Sequence, residues 1–298
     1  MNKQFYLFLK EKENLVELYL KNLRNKNLFI KRTITSIFGI FATLSIIIYA
    51  DSVLFSFFIS LICSIGMFEW IKLCSKEKEK IMPFFLFYLF FLIIVFIILY
   101  KYPFFYSLNK KYFFILNSFL FTISMLFVSK IKKFLKIFEK KNLKILLGIL
   151  IIINFFYSIT NFAFEYKEYK IFFIYMLTII WCMDTFSYIV GSLLGKIRIC
   201  PNVSPNKTYE GLLGGIFLTE IVNLVLKKIV VFSHERKSFI SVFLILIVSF
   251  FGDIFISKIK RIKKVKNSGS IFPGHGGVLD RIDSILCTFP IVINFMYF

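Results

Sequence analysis

Residues 81–100 read IMPFFLFYLFFLIIVFIILY, twenty positions without one charged side chain. A helix of about 20 apolar residues is what crosses the hydrocarbon core of a bilayer. Such a run has no place on the surface of a soluble domain. Comparable runs occur at 34–50, 53–71, 112–129, 145–164, 171–195, 211–226, 238–257 and 284–298. The least span-like are 211–226, which carries Glu220, and 284–298, which is short. The chain is 58% apolar and only 18% charged, where a soluble domain carries about 25% charged residues. The expected fold class is all-α: a polytopic integral membrane protein with about nine transmembrane helices. Disordered, collagen-like, disulfide-scaffold and soluble-enzyme classes are excluded.

The net charge of +21 falls between the apolar runs rather than along one soluble face, so membrane topology explains it and nucleic acid does not. With the N-terminus inside, 29 of the 38 Lys and Arg residues fall in segments on the cytoplasmic side. That bias sets the orientation as N-in, C-out, with loops 196–210 and 258–283 facing the cytoplasm. Three regions are expected. Residues 1–33 form a basic amphipathic segment or a basic tail, 34–170 an N-terminal transmembrane region, and 171–298 a C-terminal transmembrane catalytic region. No cleavable signal peptide or internal repeat is visible. Cys63, Cys74, Cys182, Cys200 and Cys287 include no CxxC pair, and they read as small buried hydrophobes.

Carboxylates within spans are costly and therefore informative. Glu69 lies near a span end, where it reaches the interface. Glu220 reads as a helix–helix hydrogen-bonding residue. Asp184 sits mid-span beside Thr185 and Ser187. Asp253 follows fifteen uncharged residues, and on a helix it shares a face with Ser257 and Arg261, with Lys260 adjacent. In IFPGHGGVLDRIDS (271–284), Pro273, Gly274, Gly276 and Gly277 form a tight loop whose N–H groups can face an anion. Asp280 and Asp283 follow on one helical face. With Asp253 they make an oxygen-rich set suited to Mg²⁺. In SPNKTYEGLLGG (204–215), Lys207 and Thr208 are placed to grip a phosphate. Glu210 is placed to orient Lys207 or to cap a helix. The GxxxxGK[ST] order of a P-loop is absent. Carboxylates, cations and glycine loops on one membrane face point to phosphoryl chemistry on a lipid head group.

These segments resemble the CDP-diacylglycerol synthase (phosphatidate cytidylyltransferase) family. Its C-terminal signature is matched by SKIKRIKKVKNSGSIFPGHGGVLDRIDS, at Ser257, Lys260, Arg261, Lys266, Gly269, Pro273, His275, Gly276, Gly277, Asp280, Arg281 and Asp283. Two further family segments are similar to SPNKTYEG (204–211) and DTFSYIVGSLLGK (184–196). One position departs: Asn267 stands where the family has an aspartate.

The resemblance implies the reaction CTP + phosphatidate → CDP-diacylglycerol + pyrophosphate, with Mg²⁺ as cofactor. It implies metal ligation by Asp253 and Asp280 with Asp283 beside them, and a place for Ser257 near the metal or a phosphate. Lys207, Lys260, Arg261, Lys266 and Arg281 are implied phosphate holders, with Ser204, Thr208, Glu210, Gly276 and Gly277 lining the substrate site. His275 either bonds a phosphate or braces its loop. The implied partners are CTP, phosphatidate and the lipid bilayer, with a homodimer as an open alternative. The implied location is a bacterial inner membrane with the site facing the cytoplasm. The rivals are a membrane transporter and an inactive family member.

Overall fold

The computed structural model describes residues 33–75, 81–101, 141–229, 238–272 and 276–297. Eight helices occur among them: α1 (Thr33–Tyr49), α2 (Ser52–Cys74), α3 (Met82–Lys101), α4 (Lys141–Glu165), α5 (Tyr169–Leu194), α6 (Tyr209–Ile229), α7 (Ser238–Ile262) and α8 (Leu279–Tyr297). Five of them, α2 and α4–α7, are long and apolar enough to cross a membrane. Eight of the nine expected runs coincide with these helices. The ninth, 112–129, and the expected amphipathic segment within 1–33 lie outside the described residues, so the count of nine is not established.

Two boundaries differ from the expectation, and both matter to the site. Helix α7 continues past 257 to Ile262, so Lys260 and Arg261 are helical. Helix α8 starts at Leu279 rather than 284 and takes Asp280 and Asp283 into its first turns. Hydrogen bonding carried both helices beyond their apolar stretches.

The other difference is a small sheet in an expected loop. Strands β1 (Arg198–Cys200) and β2 (Ser204–Thr208) pair antiparallel, with Arg198 opposite Thr208 and Cys200 opposite Ser204. Pro201 and Asn202 supply the turn between them. The strands are too short for an alternation of polar and apolar residues to betray them.

The core lies where α2, α4, α7 and α8 meet, around the fully buried Trp70, Phe156 and Phe255. Trp70 Nε1 donates to the Lys144 carbonyl at 2.9 Å. A Cβ on Gly148 would stand 2.0 Å from that same nitrogen, so only glycine admits the indole. Outward residues are also apolar: Leu86, Phe87 and Phe90 on α3, and Leu213 and Phe217 on α6, are each more than half exposed. A helix apolar on both its packed and its outer face is built for lipid.

Three loops meet at one end of the bundle. Lys263 Nζ donates to the Lys72 carbonyl and, at 2.9 Å, to that of Ser75 at the end of α2. Arg261 Nε donates at 3.1 Å to the Val203 carbonyl in the β1–β2 turn. At the opposite end, Tyr169 donates its hydroxyl at 3.1 Å to the Ala50 carbonyl. The segments around 75, 203 and 263 therefore share one face.

Candidate active site

Helix α7 brings Asp253 and Ser257 one turn apart, and Ser257 Oγ donates to Asp253 Oδ1 at 3.2 Å. Strand β2 delivers Lys207 to the other oxygen, with Nζ 2.5 Å from Asp253 Oδ2. The same ammonium lies 4.3 Å from the centroid of the Phe250 ring, a cation–π contact that steadies it. One turn past Ser257, the buried Lys260 reaches across to α8, 2.7 Å from Asp280 Oδ1 and 3.9 Å from Asp283 Oδ2. The two helices come close at Gly252, where a Cβ would stand 3.3 Å from the Asp283 carbonyl.

Helix α5 adds a fourth acidic group. Asp184 interacts through space with Asp253, Lys207 and Arg281. Asp283 in turn feels Asp253, Lys260, Asp184 and Lys207. The structure thus gathers carboxylates from α5, α7 and α8 around two lysines, in one electrostatically connected cluster.

Asp280 is held differently from Asp253. Its Oδ2 accepts backbone N–H bonds from Ser268 (2.8 Å) and Gly277 (3.0 Å), while Oδ1 takes Lys260. Burial raises this carboxyl, at the mouth of α8 ahead of the apolar stretch 284–298. The Lys260 ammonium and the two N–H groups outweigh burial and keep it below the usual carboxylate range. Gly276, with φ of +90°, makes the turn before it and pairs with Phe272 in an isolated bridge. A side chain there would be strained and would also strike Asp280.

Several expected phosphate holders have protein partners of their own. Thr208 is buried and caps α6 by accepting the Gly211 N–H at 3.1 Å. Glu210 accepts N–H bonds from Lys196 (3.1 Å) and Ile197 (3.2 Å), latching the end of α5 to the start of α6; it is Asp253, not Glu210, that pairs with Lys207. Arg261 donates to the carbonyls of Val203 and Val265 and so braces the hairpin turn. Ser204 begins β2 opposite Cys200. Lys266 and Arg281 are exposed at the rim, and Gly277 is buried. His275, with Pro273 and Gly274, lies outside the described residues.

Glu69, expected to reach the interface, is instead 3% exposed. It accepts from Ser268 Oγ at 2.7 Å and from the N–H groups of Val278 (3.1 Å) and Leu279 (2.9 Å). A glutamate near the end of an apolar span was the one sequence signal for it. Its partners, some two hundred positions further on, gave none.

Among the described residues, no three acidic, histidine or cysteine side chains form a ready-made metal cage. The lysine ammoniums stand between the carboxylates instead. The donor chemistry nonetheless fits a hard divalent cation: Asp253 and Asp283 offer oxygen ligands only.

Residues 30–298 match the profile of the Cytidylyltransferase family. The chain belongs to this family. Among curated relatives, it is 42% identical over 120 residues to the phosphatidate cytidylyltransferase of Staphylococcus aureus (strain COL), covering 40% of this chain and 46% of that one. It is 41% identical over 128 residues to the phosphatidate cytidylyltransferase of Rickettsia bellii (strain RML369-C), covering 40% and 55%. The uncharacterized protein YnbB of Escherichia coli (strain K12) is 37% identical over 123 residues, 41% of each chain. The chain thus spans about half the length of the curated relatives it matches.

Proposed function

We propose that this protein is a phosphatidate cytidylyltransferase that makes CDP-diacylglycerol and pyrophosphate from CTP and phosphatidate. The observation that carries this is the cluster of Asp253, Asp280 and Asp283 with Lys207 and Lys260 at one end of an apolar helical bundle. Names of relatives add support over the part of the chain they cover.

In this reaction a phosphate oxygen of phosphatidate attacks the α-phosphorus of CTP. The new P–O bond forms as the bond to the β-phosphate oxygen breaks, and pyrophosphate leaves with its electron pair. Both reactants are polyanions, so catalysis consists mainly of charge neutralisation and alignment. Lys207 and Lys260 are the cations placed to meet the phosphates, with Lys266 and Arg281 at the rim. Asp253 and Ser257 set the position of Lys207, and Asp280 sets that of Lys260. No enzyme nucleophile is required.

Mg²⁺ belongs to the same proposal. Asp253 and Asp283 would hold it, and Asp280, the other expected ligand, would fix Lys260 and the loop around it. When bound, the ion would supply Lewis-acid stabilisation of the phosphate oxygens. The proposed location is a bacterial inner membrane with the site facing the cytoplasm, a reading that the Lys/Arg bias and the bacterial relatives support. The proposal also includes homodimer assembly, which light scattering of the detergent-solubilised protein measures.

Purified protein in detergent is expected to convert labelled CTP and phosphatidate to labelled CDP-diacylglycerol when Mg²⁺ is added, and to stop on chelation. No product with any phosphatidate and any divalent metal refutes the assignment. A liposome flux assay then tests the transporter alternative.

A further inference from the structure

Ser268 and the start of α8 are both fastened to one residue of the other half of the chain. Ser268 Oγ and the Leu279 N–H both donate to Glu69 Oε2, and the Val278 N–H donates to Oε1. Ser268 also donates its own N–H to Asp280 Oδ2. One serine therefore couples Glu69 to a carboxylate of the cluster.

Two glycines make room for this. A Cβ on Gly277 would stand 2.3 Å from both Glu69 oxygens, and one on Gly269 would stand 2.5 Å from Oε1. Their lack of a side chain is required by a carboxylate arriving from α2. Burying that carboxylate is costly unless it is fully hydrogen-bonded. Three donors satisfy it, two of them N–H groups at the positive end of α8.

We propose that Glu69 is a positioning residue for cytidylyl transfer: it fixes Ser268 and the first turn of α8 so that Asp280, and through it Lys260, are correctly placed. This rests on the cytidylyltransferase assignment. Glu69 touches no reacting atom. It acts through Ser268 and the first turn of α8.

The test is Glu69→Gln in the full-length protein. An amide offers one acceptor oxygen and an NH₂ group, so it opposes at least one of the three donors. Two readouts are needed: steady-state formation of CDP-diacylglycerol, and amide hydrogen exchange of 266–283 with 145–163 as an internal reference. The expected result is a fall in kcat of at least about tenfold, a CTP KM changed less than about threefold, and faster exchange confined to 266–283. Glu69→Asp keeps the charge and should recover part of kcat. Ser268→Ala removes one donor and should give a smaller loss in the same direction, which covers the case of a Glu69→Gln protein that does not fold.

Wild-type kcat in Glu69→Gln, or wild-type exchange in 266–283, overturns the proposal. So does exchange that rises equally in 145–163 while Ser268→Ala keeps wild-type kcat. If the wild-type protein makes no product, the catalytic assignment is what fails, and exchange alone decides whether Glu69 holds the segment.

Discussion

Asp253 and Asp280 face the same cluster but are held by different kinds of donor. Asp280 is gripped by the backbone N–H groups of Ser268 and Gly277 and by a lysine that is itself buried. Asp253 is met only by side chains, those of Lys207 and Ser257. Backbone donors cannot leave without unmaking the loop, whereas side-chain donors can turn aside. A carboxylate of the first kind is architecture. One of the second kind is available to a substrate or an ion. Two residues of one type, both expected to hold the metal, thus separate into distinct roles by who donates to them.

That separation can be broken by experiment. Asp280→Ala has the largest expected effect: CDP-diacylglycerol formation falls to background. The variant also loses about 3 kcal/mol of stability, because it leaves the Lys260 ammonium buried without its nearest partner. A melting curve in detergent reads the second loss. Asp253→Asn is expected to lower turnover at least about 100-fold while melting close to wild type. Equal destabilisation by both variants would erase the distinction. Arg261→Gln removes the brace on the hairpin that carries Lys207, and a fall in kcat of about tenfold is expected from the resulting misplacement. The smallest change is expected from Asn267→Asp. Asn267 is exposed and packs beside Gly276, so turnover should shift less than about threefold. A tenfold rise would instead place a charge at that position within the reacting cluster.

The bundle was largely legible because lipid demands long charge-free runs, and such runs are visible one residue at a time. The loops bearing Lys207 and Asp280 were legible as polar, glycine-rich interruptions between those runs. Roles within them were not. Threonine, arginine and glutamate suit a phosphate site and a helix cap or brace equally well. Thr208, Arg261 and Glu210 proved to have protein partners only once their neighbours in space were known. Glu69 was hidden for a related reason: its meaning depends on groups from the far end of the chain. The hairpin escaped notice because strands of three and five residues leave too little pattern.

The lysine on β2 has a consequence for how such a site endures within a membrane. Because Lys207 already pairs with Asp253 and Lys260 with Asp280, these four charges are not stranded bare in a medium that screens poorly. On the proposed function, arrival of a triphosphate would be an exchange of counter-ions, in which ammonium groups trade one anion for another and no new charge separation has to be created. A reaction between two repelling anions would then be prepared during folding, by salt links that substrate binding is free to reassign.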